Sequence, residues 1–263
     1  MSAHTDPLQK ATPEVILCAL LRRYLIPDSS LLVTTRTRRT VNKLLNGKQY
    51  FTEIMGFSEK NVETYFQKFF SKEYDCVRAN ETLPTACSSP VVCRIISEIF
   101  RFGANVTSGL ETTTSIYADF VSTLLEHQCQ DLNQSVPTLL RSLGQLAERG
   151  MLEQEVMFDK KTVYETVADP AGNLFLSKLL LKKIIRQETM FSFMHLSIQE
   201  FFTALYYVLL DEEKSQRKVG ELLHTVERGW ALSSWSDRDF SMVDVEERRA
   251  KMLQPVMIFL CGL

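Results

Sequence analysis

Apolar residues recur at helical spacing along most of the chain, with two short exceptions near its start. Thr12-Pro13-Glu14 opens a helix with a capping hydroxyl, proline at the first helical position and an acid at the positive helix end. Ile16, Leu17, Leu20, Leu21 and Tyr24 continue it at helical spacing. Pro27-Asp28-Ser29-Ser30 is a turn, and Leu31-Leu32-Val33 is a continuous apolar run ending in Thr34-Thr35-Arg36, as in a parallel strand buried on both faces. A helix around Thr40–Leu45 and a second strand, Gln49–Met55, are expected next. Two parallel strands cannot cover themselves, so this βα-like start implies further sheet upstream.

After Gly56 the pattern is helical. Ser58 caps a segment with Val62, Tyr65, Phe66 and Phe69 on one face. A break at Ser88-Ser89-Pro90 leads into Val91–Phe100, and Gly103–Gly109 reads as a loop. Helices are expected over Thr114–His127 and Val136–Arg149, the second closed by Gly150. Residues 151–210 form a mixed unit: a strand at Val156-Met157-Phe158, helices over Lys161–Val167 and Asn173–Leu181, and a hairpin with arms Lys183–Arg186 and Phe191–Met194 around Gln187-Glu188-Thr189. Helices followed by a small hairpin suggest a winged helix. Ser197-Ile198-Gln199-Glu200 reads as a capping box, with Leu196 and Phe201 as its hydrophobic staple. A charged stretch, Asp211–Gly220, precedes a last helix over Val245–Leu263, whose apolar end reads as a cut through a domain.

Composition narrows the function classes. A chain of 263 residues with 45% hydrophobic content can bury a substantial core. Its formal charge of −2 gives no global field toward nucleic acid or anionic membrane. The six cysteines lack zinc-ligand spacing and read as reduced core thiols. Met1–Pro7 lacks a signal-peptide pattern, and the most apolar stretch, Phe201–Leu210, is too short to span a bilayer, so a cytoplasmic protein is expected. On that reading the sequons at Asn80, Asn105 and Asn133 carry no meaning.

Three passages together resemble the NACHT, leucine-rich-repeat and pyrin-domain receptors, the NOD-like receptor family: Leu31–Arg36, Thr112-Thr113-Thr114-Ser115-Ile116-Tyr117, and Phe193-Met194-His195-Leu196-Ser197-Ile198-Gln199-Glu200-Phe201-Phe202. The similarity runs from about Asp6 to the end, and the third passage is the most specific. The resemblance implies a mainly α fold with a partial α/β nucleotide-binding domain. Its expected parts are the end of the NACHT domain over 1–55, a first helical domain over 56–110, a winged-helix domain over 111–212 and the start of a second helical domain over 213–263. It further implies an ADP/ATP switch that controls homo-oligomerisation with other receptor subunits. Adaptors of inflammasome-type innate-immune signalling would be reached through a signalling domain outside this chain.

Three positions match nucleotide contacts of that family. Arg36 corresponds to the arginine that senses the terminal phosphate, and a guanidinium suits that role through paired donors and permanent charge. Thr37 stands where the family has proline, and the residues alone equally fit an exposed arginine in a basic turn with Arg38 and Arg39. Pro90 matches the proline that packs on adenine, and it equally suits the start of the helix that follows. His195 matches the histidine that contacts the β-phosphate of ADP and holds the closed state. Read without the family, it is a core histidine with a backbone partner.

Absences complete the reading. The sequence contains no GxxxxGK[ST] loop, and no acidic run precedes Arg36 to hold magnesium, so only lid-side nucleotide contacts and no metal site are expected. No GxSxG elbow or Cys/His arrangement points to other catalysis, and the chain is read as a non-enzyme. The alternatives are a winged-helix nucleic-acid binder, presenting Lys178, Lys182 and Lys183, or a helical scaffold. The first is disfavoured by the leucines that dominate Asn173–Leu181.

Overall fold

The computed structural model describes residues 6, 8, 10–34, 45, 50–70, 73–103, 111–128, 135–167, 173–233 and 242–263, with the backbone alone at 73, 230–233 and 242–248. Arg36, Cys129, the helix expected over Thr40–Leu45 and most of the Gly103–Gly109 loop lie outside these residues. The chain divides into two compact units, Met1–Met55 and Gly56–Leu263. The protein is mainly helical, with one small three-stranded sheet among the described residues.

In the first unit, α1 spans Pro13–Leu21, with Thr12 as N-cap and proline in the first turn. It stops short of Tyr24, because Arg23 turns left-handed at φ 58° and Tyr24 N–H bonds back to Ala19 O at 2.8 Å. Residues 31–34 and 50–55 carry no strand ladder, contrary to the expected strands, and Leu32 and Ile54 are 92% and 94% exposed. An apolar run becomes a strand only beside a hydrogen-bonded neighbour, and no described residue supplies one here.

The second unit begins with α2 (Glu59–Phe69), capped by Ser58 Oγ accepting from Asn61 N–H at 3.3 Å. Short helices α3 (Glu73–Ala79) and α4 (Leu83–Ala86) lead to α5 (Pro90–Arg101). One whole face of α5, from Val92 to Phe100, is buried, and Phe66 of α2 meets the Phe100 ring edge-on at 6.3 Å. Helices α6 (Thr113–Gln128) and α7 (Val136–Glu153) follow.

The mixed unit comprises β1 (Phe158–Asp159), α8 (Lys160–Thr166), α9 (Leu174–Leu179), β2 (Leu180–Ile185) and β3 (Glu188–Phe193). The sheet order is β1-β3-β2, all antiparallel, with Phe158 opposite Phe191 and Leu180 opposite Phe193. The hairpin turns on Arg186 and Gln187, one residue earlier than expected, and both have positive φ (50° and 69°). That is the geometry a two-residue loop needs to match strand twist, here met without glycine or asparagine.

Helix α10 (Leu196–Val208) is the centre of the unit; Ile198, Phe201, Phe202, Thr203, Ala204 and Tyr207 are buried. It packs on α7, on α12 (Met242–Leu260) and on α11 (Glu212–Ser233), and touches α6 and β3. Glu148 of α7 forms an ion pair with Lys218 Nζ of α11 at 2.8 Å, which lets a carboxylate sit nearly buried at this junction.

The expected C-cap role of Gly150 is not met: α7 continues to Glu153 and ends on Gln154 in the left-handed conformation (φ 59°). Gly150 is small because its surroundings demand it. A Cβ there would lie 2.3 Å from Gln199 Nε2 and 2.6 Å from Phe158 Cζ. The capping box is likewise absent, since α10 begins at Leu196, two residues earlier than a Ser197 N-cap requires, with His195 as its N-cap; Gln199 is buried and donates its amide to Glu155 O at 3.1 Å.

Candidate functional site

Three helix N-termini of the second unit open onto one cavity of about 670 Å³. Each start is set locally. Asn80 Oδ1 accepts from Thr82 N–H and Leu83 N–H at 2.9 and 3.0 Å, which starts α4 and delivers the Ser88-Ser89 turn to the head of α5. Proline at the first position of α5 removes one donor that the helix would leave unbonded. At α6, Thr112 Oγ1 accepts from Ser115 N–H at 3.0 Å while Ser115 Oγ accepts from Thr112 N–H at 3.1 Å, a reciprocal cap.

At α10 the cap is His195 itself. Its Nδ1 accepts Ser197 N–H at 3.1 Å and lies 2.7 Å from Ser197 Oγ. Ser197 Oγ in turn accepts the Tyr117 hydroxyl at 2.7 Å, tying α6 to α10. Burial pushes the Tyr117 phenol up to about 12, with the Ser197 hydrogen bond opposing and the Glu200 charge adding to the rise. Tyr117 therefore remains a donor throughout the physiological range.

The opposite wall is apolar, from Pro255, Ile258 and Phe259 of α12. Among the described residues no lysine or arginine lines the cavity, while the exposed Glu81 and Glu111 and the nearly buried Glu200 do. Positive potential must come from the helix ends, each equivalent to about half a charge, and from imidazole. Three polar N-termini facing an apolar wall can hold a ligand with an anionic end and a flat hydrophobic body, and the volume falls in the range of small-molecule sites.

Of the expected contacts, His195 lines this cavity and Pro90 begins α5 between the lining residues Ser89 and Val91. Sequence reasoning missed Tyr117 and Ser197 as site residues. Tyr117 sat inside the Thr112–Tyr117 passage, but nothing in its spacing reveals a hydrogen bond to a residue eighty positions on. Among the described residues no cluster of His, Cys, Asp or Glu suits a metal ion, and no helix is long and apolar enough to cross a membrane.

The family model of the NACHT domain, a nucleotide-binding family, matches residues 1–73. The whole chain aligns at 45% identity with "NACHT, LRR and PYD domains-containing protein 1 homolog" of Danio rerio, covering 100% of the chain and 19% of that protein. It is 34% identical to "NACHT, LRR and PYD domains-containing protein 3" of Homo sapiens (81% of the chain, 22% of that protein) and 32% identical to the human protein 12 of that name (78% and 20%). The chain is a homologue of the NACHT, LRR and PYD domains-containing proteins. It spans about a fifth of the length of these curated relatives. This NOD-like receptor homology covers the cavity, because the alignment to the zebrafish relative includes α5, α6, α10 and α12.

Proposed function

We propose that this chain is the lid side of an ADP/ATP switch in a cytoplasmic NOD-like receptor. The observation that carries the reading is the convergence of the α5, α6 and α10 N-termini, with His195, on one cavity. In this reading His195 donates to the β-phosphate of ADP, Pro90 flanks the adenine and Arg36 addresses the terminal phosphate of ATP. ADP bridges the helix starts and holds a closed state. Exchange to ATP releases it for homo-oligomerisation and adaptor recruitment in inflammasome-type signalling. The domain boundaries near 55, 110 and 212, with a winged helix between the last two, belong to the same reading. The chain does not hydrolyse ATP by itself, since its sequence holds no phosphate-binding loop and no acidic magnesium site.

Nucleic-acid binding finds less support. The helix that would read bases, α9, buries Phe175, Leu176 and Leu179, and Lys178 pairs with Glu98 at 3.2 Å.

Calorimetry of ADP on the chain and on His195→Ala tests the switch. A hydrogen bond to a charged group contributes about 1.5–3 kcal/mol, so the substitution is expected to weaken ADP roughly 10- to 100-fold. Equal binding by both proteins would remove His195 from the site.

A further inference from the structure

We propose that Tyr117 is a positioning residue for His195, acting through the hydroxyl of Ser197. The backbone N–H of Ser197 donates to Nδ1, so Nδ1 carries the lone pair and the ring proton sits on Nε2. With Nδ1 an acceptor, the Ser197 hydroxyl 2.7 Å away must donate to it, and its oxygen is then open to receive the Tyr117 hydroxyl, also 2.7 Å away. The chain of donors runs one way, from phenol to serine to imidazole. Each bond polarises the next.

Tyr117 supports this direction because its oxygen is held beside Ser197 Oγ. Its side chain is 2% exposed, and its ring is wedged between Phe201 and Phe259, with centroids at 5.7 and 5.0 Å. The reverse orientation, with Ser197 donating to the phenol, would leave Nδ1 to the Ser197 N–H and weaken the preference for the Nε2–H tautomer over the one that presents a lone pair from Nε2. A lone pair repels a phosphate oxygen where an N–H attracts it. The consequence for nucleotide rests on the proposed role of His195, whereas the positioning itself does not. The chain also places α12 in the path: Phe259 holds the ring whose hydroxyl sets the histidine.

Long-range proton–nitrogen correlation spectra of the full chain, labelled at its four histidines, test this at a pH where imidazole is neutral. His195→Gln assigns the signal. The wild type should show well-separated Nδ1 and Nε2 resonances. In Tyr117→Phe, which keeps the aromatic packing, they should move part of the way toward the mixed tautomers of free histidine, because the Ser197 N–H remains. Ser197→Ala should move them further. Should Tyr117→Phe not fold, the wild-type chain decides: a Ser197 hydroxyl proton that shows no through-space contact to the Tyr117 hydroxyl would overturn the inference. ADP affinity should fall about 3- to 10-fold in Tyr117→Phe, the effect of one neutral hydrogen bond. Ring resonances unchanged from wild type in Tyr117→Phe would overturn the inference even if Ser197→Ala shifts them, as a packing role alone leaves them in place. Failure of the wild type to bind ADP would instead sink the nucleotide reading, with the resonances still deciding the role of Tyr117.

Discussion

Phe201→Ala should destabilise the protein by about 3–5 kcal/mol, the range for emptying a fully buried aromatic site. Phe201 is 1% exposed and stands edge-on to both Phe202 and Phe259, with centroids at 5.8 and 5.4 Å, and tilted against Tyr117. Its ring therefore joins α6, α10 and α12, and no single neighbour can swing in to fill the space. Against a total of about 5–15 kcal/mol for a typical domain, the loss is large enough to move the urea midpoint well below wild type. Phe201→Leu retains most of the volume and should cost much less. Equal midpoints for Phe201→Ala and wild type would mean that α12 does not dock as described. Because Phe201 is one of the two rings that wedge Tyr117, the alanine variant should also broaden or shift the His195 ring resonances, whereas an equally destabilising change remote from Tyr117 should not.

How far the sequence announced this arrangement depends on the range of the interaction. The Ser58 cap, the proline start of α5 and the hairpin were all legible, because each rests on a few adjacent residues. The same short range misled at α10. Ser197-Ile198-Gln199-Glu200 has the spacing of a capping box, yet His195 Nδ1 takes the cap and Gln199 turns inward to Ala147 O and Glu155 O. His195 is exposed, so it is not the core histidine that one of its readings described. It has a local backbone partner through Nδ1 and lines the cavity as well. The strands expected before residue 56 failed for the opposite reason. An apolar pattern alone does not make a strand, and the described residues of that unit hold no neighbouring strand to pair with.

Gly144→Ala should destabilise the protein even though alanine is the better helix former. Gly144 lies within α7 where it crosses α10, and a Cβ there would stand 2.4 Å from Tyr206 Cβ and 3.0 Å from Phe202 O. Neither atom is the end of a flexible side chain, so the helices themselves must part. The gain in helix propensity is at most about 1 kcal/mol. Overpacking at such a site typically costs about 1–3 kcal/mol and occasionally more, and separating two long helices by even half an ångström weakens every dispersion contact along them. A net loss of about 2 kcal/mol is expected, lowering the melting temperature by roughly 4–8 °C for a unit of this size. The decisive measurement is a double-mutant cycle with Tyr206→Gly, which removes the Cβ that alanine would meet. If the crossing distance is the cause, the two substitutions together should cost less than their sum by about 1–2 kcal/mol. Strict additivity would locate the penalty elsewhere, at Phe202 O or within α7 alone. The α7–α10 crossing is also what holds α10 against the rest of the unit. Gly144→Ala should therefore weaken ADP binding without touching any group at the cavity.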